Sequence, residues 1–473
     1  MNPTQHFHFV TGRLAESAVR SVVSDLSEKM GFAYSIDVLP ITVAALMTGR
    51  WLLRHVQVPD QATKVVLPGY LQPDLDLIQS SFSVPVFCGP KNIQDLPQFF
   101  GKDTQRPDDY GAYEIQIIAE INHADRLSLD QLVLQARQLS QQGADTIDLG
   151  CSPGHRWQEI AAATAHLKQL GLRVSVDSFD PWEVAQACAA GAELVLSVNS
   201  SNSQVAAQWG CEVVAIPDST DDLSSLYRTV EQLERDRVPY RVDPILEPIG
   251  LGFAASLERY LLCRRELPQA AMMMGIGNIT ELTDSDSAGI NTLLLGFCQE
   301  LRIGSVLTTQ VINWARSSVR ECDLARRLVH YSVEHQIPPK HLEPELVLLR
   351  AAKVNHLPAD VLQEMAAAIR DPNYRLFISE GKIHAITAGL YVSGIDPFQI
   401  MHQIFESPSG QKLDASHAFY LGFEMCKALQ ALTLDKNYQQ DEALQWGFLT
   451  RPEQHHRLKR RTDSKGTHES DPS

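Results

Sequence analysis

A chain of 473 residues is longer than one ordinary core supports and implies two to four domains. Its composition, 44% hydrophobic and 21% charged, is that of a soluble globular protein, and the formal charge of −16 argues against a nucleic-acid groove and against attraction to anionic membranes. No apolar run reaches membrane-spanning length and no basic–apolar–small-residue leader opens the chain, so the expected setting is cytoplasmic.

The first hundred residues alternate short apolar runs with helical patterns. Strands are expected at 6–10, 33–39, 64–67 and 84–88, with helices over 12–30 and 42–55 between them. Strands alternating with helices mean βαβ units, so residues 1–105 read as a Rossmann-like α/β domain with a mostly parallel sheet. Thr11-Gly12-Arg13 and Gly89-Pro90-Lys91 are βα turns that can present backbone N–H groups to an anion, though ordinary turns have the same composition. The polar, proline-bearing stretch 102–110 reads as a linker.

The alternation restarts at Tyr113 and runs for eight cycles, with strands expected at 114–121, 146–150, 173–177, 193–198, 212–216, 240–245, 271–275 and 305–309. Eight βα units over residues 113–330 match a (β/α)8 TIM barrel. Periodicity alone leaves an open doubly wound sheet as the alternative. Beyond Arg327 the rhythm stops. Helices are expected over 326–334, 343–354 and 416–432, and a hairpin over 375–379 and 382–386 around Glu380-Gly381. Residues 338–448 therefore read as a small α+β domain, followed by a polar, basic tail over 451–473 that is expected to be disordered. The eight cysteines form no C-x-x-C pair, and the plain reading is separate thiols in a reducing compartment.

A TIM barrel carries its chemistry at the C-terminal ends of its strands. Read in order, those ends supply Asn122-His123, Asp148 with Cys151-Ser152, Asp177-Ser178, Asn199-Ser200, Asp218, Asp243 with Glu247, Asn278, and Thr309-Gln310. A ring of carboxylates and carboxamides suits a planar, donor-rich heterocycle, because a carboxylate accepts two parallel hydrogen bonds and an amide supplies a donor and an acceptor. Any one of these residues is equally a turn former at a strand end. His123 reads as a base or phosphate contact, or as a plain loop histidine; Glu281, Asp284 and Asp286 read as loop and cap residues; His417, Tyr420 and Glu424 read as core packing of their helix.

Four segments in register carry a family resemblance. Ile147-Asp148-Leu149-Gly150 with Cys151-Ser152 resembles the IDxGxxS segment of dihydropteroate synthases. Val174-Ser175-Val176-Asp177-Ser178 with Pro181 resembles their SVDTxxP segment, Gly191-Ala192 before Asn199 their GAxxxND strand, and Asp243-Pro244 their DPG strand. The layout as a whole, with an extra N-terminal domain and an added C-terminal one, is similar to the dihydropteroate-synthase-related proteins found with tetrahydromethanopterin-type carriers. The family's strand-seven Lys has no counterpart, since Asn278 stands there as in pterin-dependent methyltransferases. The strand-eight Arg-x-His is replaced by Thr308-Thr309-Gln310.

The resemblance implies condensation of a 6-hydroxymethyl-dihydropterin diphosphate with an aryl amine, in folate or tetrahydromethanopterin-type biosynthesis. Asp148, Asp177, Asn199, Asp243 and Asn278 would hold the pterin, Asn122 would bind Mg²⁺ against the pyrophosphate, His123 would assist catalysis, and Arg156 would meet the amine. A homodimer fits the same resemblance. The alternatives are a pterin-dependent methyltransferase subunit and a non-catalytic pterin-binding protein.

Overall fold

In the computed structural model of the chain, the described residues are 5–41, 44, 47–90, 93, 96–100, 106, 107, 109–351, 354 and 357–453. They fall into two compact units: Gln105–Val347, and a unit that combines Met1–Thr104 with Leu348–Ser473.

The unit Gln105–Val347 is a closed barrel of eight parallel strands: β5 (Gln116–Ile121), β6 (Thr146–Gly150), β7 (Val174–Asp177), β8 (Leu194–Val198), β9 (Glu212–Ala215), β10 (Tyr240–Val242), β11 (Ala271–Gly275) and β12 (Ser305–Thr308). Pairing of β12 with β5 closes the ring, so the TIM barrel is formed and the open doubly wound sheet is excluded. Each observed strand lies within an expected one, trimmed at its ends where the chain turns into a loop.

The local rules that start and stop the helices are visible. Ser128 and Gln131 form a capping box on helix Leu129–Gln141, and Asp180 caps helix Pro181–Ala189, whose first residue is the proline that tolerates a missing N–H. Gly143 ends the first of these at φ 113, where a side chain is strained and where a Cβ would lie 2.6 Å from Asp323.

Strand alternation sorts the side chains into two layers. Ile117, Ala119 and Ile121 face the surrounding helices in the large outer core. Ile118 faces inward with Leu194, Leu196, Val214 and Met273, forming an apolar plug across the barrel axis. Arg241, Glu212 and Ser305 form a polar group through the Arg241 guanidinium, which donates to both partners. The same alternation carries Glu120, Asp148, Asp177 and Asp243 beyond the plug, toward the C-terminal strand ends.

The last helix of this unit, Ser318–His335, is longer than the expected 326–334 and is anchored by Arg326, which is 1% exposed. Its guanidinium donates to the carbonyls of Ile115 (2.9 Å) and Gly143 (3.1 Å) and to the carboxylates of Asp145 and Asp323. It also lies 3.6 Å above the Tyr113 ring. The expected helix over 343–354 does not form among its described residues. Glu343, at its start, instead accepts from Arg106 and from the Tyr110 hydroxyl (3.0 Å). In that way the described part of the expected linker, 106, 107, 109 and 110, is held within the barrel unit.

In the other unit, β1 (His6–Gly12), β2 (Ala33–Leu39), β3 (Lys64–Leu67) and β4 (Val86–Cys88) make a parallel sheet of order β2-β1-β3-β4. Helix Glu16–Met30 fills the expected first helical span. Of the expected 42–55 helix only Gly49–Leu52 is helical, with positions 42, 43, 45 and 46 outside the described residues. Lys91 and the tail from 454 onward also lie outside them. The expected hairpin is present as β13 (Arg375–Ser379) and β14 (Lys382–Thr387), joined by a third antiparallel strand, β15 (Leu390–Gly394). Helices Pro397–Glu406 and Ala415–Thr433 cover that sheet, the latter capped by Asp414.

Arg326 generates a stability prediction. Arg326→Met removes the cation shared by the buried Asp323 and the partly buried Asp145 and should destabilise the barrel unit by about 3–5 kcal/mol. Urea unfolding monitored by tryptophan fluorescence measures it, and a loss below 1 kcal/mol contradicts the anchoring role.

Candidate functional site

The C-terminal mouth of the barrel holds a cavity of about 240 Å³. This lies below the roughly 300–1,000 Å³ of drug-sized sites, a size for one flat ring system. Its floor is the apolar plug, through Leu196, Val214, Met273 and Leu307. Its walls carry Glu120, Asn122, Asp177, Ser197, Asp243, Asn278, Glu281 and Thr309. Among the described residues no lysine, arginine or histidine lines it.

Asp243 follows β10 and is 6% exposed. Its Oδ1 accepts from the Ile245 N–H (2.8 Å) and from the Tyr260 hydroxyl. Burial raises its pKa to about 6, against the pull of the Tyr260 hydroxyl, the Ile245 and Gly275 N–H groups and the Arg259 charge. Asp177 ends β7; burial raises its carboxyl and a hydrogen bond from Ser197 partly restores it. Asp148 lies beneath them with no exposed surface. Its Oδ1 accepts from Ser175 at 2.6 Å, while Oδ2 has no partner among the described residues. Burial, then the charges of Asp177 and Glu120, push Asp148 well above the usual carboxylate range.

Glu120, which belongs to the strand-one end with Asn122, lines the cavity although no role was assigned to it. Alternation along β5 points Ile118, Glu120 and Asn122 the same way, and that spacing was the available signal. Burial first, then Asp177 and Glu281, raise the Glu120 pKa to about 7. Glu281, expected to be a loop or cap residue, also lines the cavity; it accepts from the Thr309 hydroxyl and its carboxyl is raised by burial. Two wall residues carry left-handed backbones without being glycine: Ser197 (φ 64) and Ile245 (φ 68). Such conformations cost of order 1–3 kcal/mol each and survive only where the surroundings impose them. Asn202 holds the Ser197 carbonyl (3.3 Å) and Arg259 holds that of Ile245 (2.8 Å).

Of the expected site residues, Asn122, Asp177, Asp243 and Asn278 line the cavity and Asp148 lies under it. Asn278 donates its amide N–H to the Leu246 carbonyl (3.0 Å), which leaves its oxygen available. Three expected residues are elsewhere. The Asn199 carboxamide is turned into its own loop, accepting from Ser201 N (3.0 Å) and Ser201 Oγ (2.6 Å). Arg156 is paired with Asp180 (2.6 Å) on the exposed rim. His123, itself at φ 51, bonds the Ser152 hydroxyl through Nδ1 (2.9 Å), and Ser152 donates to Asp125 (2.7 Å). Among the described residues, no group of three or more His, Cys, Asp or Glu is placed to hold a metal ion.

Comparison with known proteins adds the following. Residues 5–91 match a family of unknown function, DUF6513, and residues 363–441 match a family described as PterinBD-DUF4346. An uncharacterised protein of Methanocaldococcus jannaschii is 23% identical over 518 residues, spanning 91% of this chain and 97% of its own length. Among solved structures, the dihydropteroate synthase of Vibrio fischeri is 16% identical, covering 48% of this chain and 95% of that one, with a TM-score of 0.38. That of Xanthomonas albilineans, in complex with 7,8-dihydropteroate, is 18% identical, covering 48% and 94%, with a TM-score of 0.36. The segment 363–441, which lies outside the barrel, thus matches a family model named for pterin binding.

Two predictions follow from the geometry. A Cβ at Gly150 would lie 2.6 Å from Glu120 Oε1 and 3.3 Å from the Ile121 carbonyl. Gly150→Ala should therefore displace Glu120 and cost about 1–3 kcal/mol, as overpacking does; chemical denaturation reads the loss.

The second concerns pH. A carboxyl whose folded pKa is raised stabilises the fold below its unfolded value, and that contribution is lost as pH rises through the folded value. With Glu120 moved from 4.5 to about 7 and Asp243 from 3.8 to about 6, stability should fall between about pH 4.5 and 7. Glu120→Gln should flatten that fall. Melting temperatures across the range test it, and a wild-type barrel that gains stability through this window contradicts it.

Proposed function

We propose that the barrel mouth binds the flat ring of a reduced pterin and that the chain acts on that pterin as a transferase. The observation that carries this reading is the convergence of Asp177 and Asp243 on one cavity together with Asn122 and Asn278. The amino group and neighbouring ring N–H of a pterin need acceptors, and Asp177 and Asp243 bring carboxylates to the same cavity. Glu120, its pKa raised to about 7, supplies a donor for the ring's carbonyl and nitrogen acceptors. The apolar floor takes the ring face.

The reacting substituent is a separate question, and the charge of the wall bears on it. Condensation of a pterin diphosphate with an aryl amine places a multiply charged anion at the mouth. Like unit charges about 5 Å apart repel by roughly 3 kcal/mol at an effective dielectric of 20. The wall supplies carboxylates and no cation, and Arg156, the expected contact for the amine, is committed to Asp180. The donor set does not fit a resident Mg²⁺ either: Asn122 offers one neutral oxygen, and among the described residues no group of three His, Cys, Asp or Glu is placed to hold a metal ion. The reading best suited to this wall is a reduced pterin whose substituent carries no phosphate, such as a one-carbon group on a ring nitrogen. Asn278, at the strand-seven position that resembles the pterin-dependent methyltransferases, fits it.

Calorimetric titration with 6-hydroxymethylpterin, its diphosphate with and without Mg²⁺, and an N5-methyl reduced pterin separates the possibilities. The neutral and methylated pterins should bind at least as tightly as the diphosphate. Diphosphate binding that dominates, with pyrophosphate released on adding an aryl amine and Mg²⁺, would restore the condensation. No binding of any pterin removes the proposal. Asp243→Asn should weaken pterin binding by about 1–3 kcal/mol through loss of a charge-assisted bond; unchanged affinity would take Asp243 out of the site.

A further inference from the structure

The cysteines were expected to stand apart, yet the fold brings two of them together away from the mouth. Cys188, near the end of helix Pro181–Ala189, and Cys211, just before β9, place their sulfurs 3.3 Å apart. Both are reduced and half-buried. The elements that carry them are fixed by the barrel: the helix by its Asp180 cap, and Cys211 by the register of β9 against β8. Closing the remaining gap to a bond therefore needs only a small side-chain adjustment. Beside the pair lies a cavity of about 290 Å³, lined by Cys188, Pro181, Ala185, Val205, Gln208 and Trp209. It gives a small molecule a route to the Cys188 sulfur. The segment between the two cysteines contains β8, Ser197 and Asn202, so a bond here ties down the loop that shapes one wall of the mouth.

We infer that Cys188 and Cys211 form a reversible dithiol–disulfide pair that low-molecular-weight disulfides oxidise through the adjacent cavity. The chemistry is thiol–disulfide exchange. One sulfur of the pair bonds to a sulfur of the small disulfide, whose other half leaves as a thiol carrying the proton given up. The second sulfur of the pair then bonds to the first, and the remaining half leaves as a second thiol with the second proton. The protein pair is oxidised by two electrons and the small disulfide is reduced by two. The inference does not depend on what the mouth binds.

The test uses the intact, reduced protein, incubated with glutathione disulfide at neutral pH, alkylated, digested and mapped by mass spectrometry. The expected result is a cross-linked peptide pair joining Cys188 to Cys211, which dithiothreitol reverses. Exposed Cys426 should instead keep a glutathionyl group. Cys188→Ser and Cys211→Ser, near-isosteric changes, should each abolish the cross-link and leave the other cysteine of the pair as a lasting glutathione adduct. Recovery of Cys188 and Cys211 as alkylated thiols while Cys426 has reacted would overturn the inference. So would a wild-type protein in which both carry glutathione without joining.

Discussion

Burying several carboxylates around one small cavity, with no cation in its wall, is the constraint that organises the barrel. An ionised acid taken out of water is costly, and in practice such a group shifts its pKa and keeps its proton. The structure moderates that cost through neutral donors. Ser175 serves Asp148, Ser197 serves Asp177, and Tyr260 with the Ile245 N–H serves Asp243. Each donor stabilises a charge without supplying one, so the cavity keeps its acidic character. Arginines are present nearby, but Arg259 is occupied by Glu247 and the carbonyls of Pro244 and Ile245.

The strained residues belong to the same arrangement. A β-branched residue such as Ile245 rarely tolerates a left-handed backbone. Here that conformation turns the Ile245 N–H back onto Asp243 Oδ1 and its carbonyl toward Arg259. At Ser197 it accompanies a slip in the pairing of β8 with β9 between Val195 and Val198, and the serine hydroxyl reaches Asp177. In both places local backbone energy is exchanged for a hydrogen bond to a buried acid. The surrounding barrel, whose outer core joins strands to helices on every side, makes those conformations sustainable.

Much of this was legible in the sequence because strand order and strand-end chemistry follow from local patterns. Asp177 and Asp243 sit at the ends of apolar runs, and both line the one cavity. Asn199 sits at such an end too, but a carboxamide can satisfy its own turn, and which way it points is decided by Ser201. Arg156 was misplaced for a related reason, since Asp180 both caps a helix and captures the guanidinium. Glu120 was readable from alternation with Asn122, whereas Ser197 and Ile245 were not, because nothing local announces a left-handed backbone at those residue types. The helix expected over 343–354 gives way to the tertiary pairing of Glu343 with Arg106 and Tyr110. The Cys188–Cys211 contact links residues 23 positions apart and has no motif to reveal it.

The protonation of the mouth connects fold to function. If Asp148 and Glu120 were ordinary surface acids, the cavity would be an anion-repelling, cation-attracting hole. Burial instead moves Asp148 well above the usual carboxylate range and Glu120 to about 7, which reduces the charge that Glu120 presents to the cavity at neutral pH. Asp243 is raised to about 6, and Asp177 is raised by burial and held back by the Ser197 hydroxyl. Partly neutralised acids beside neutral donors suit an uncharged, flat heterocycle, and the carboxylate charge that remains repels phosphate.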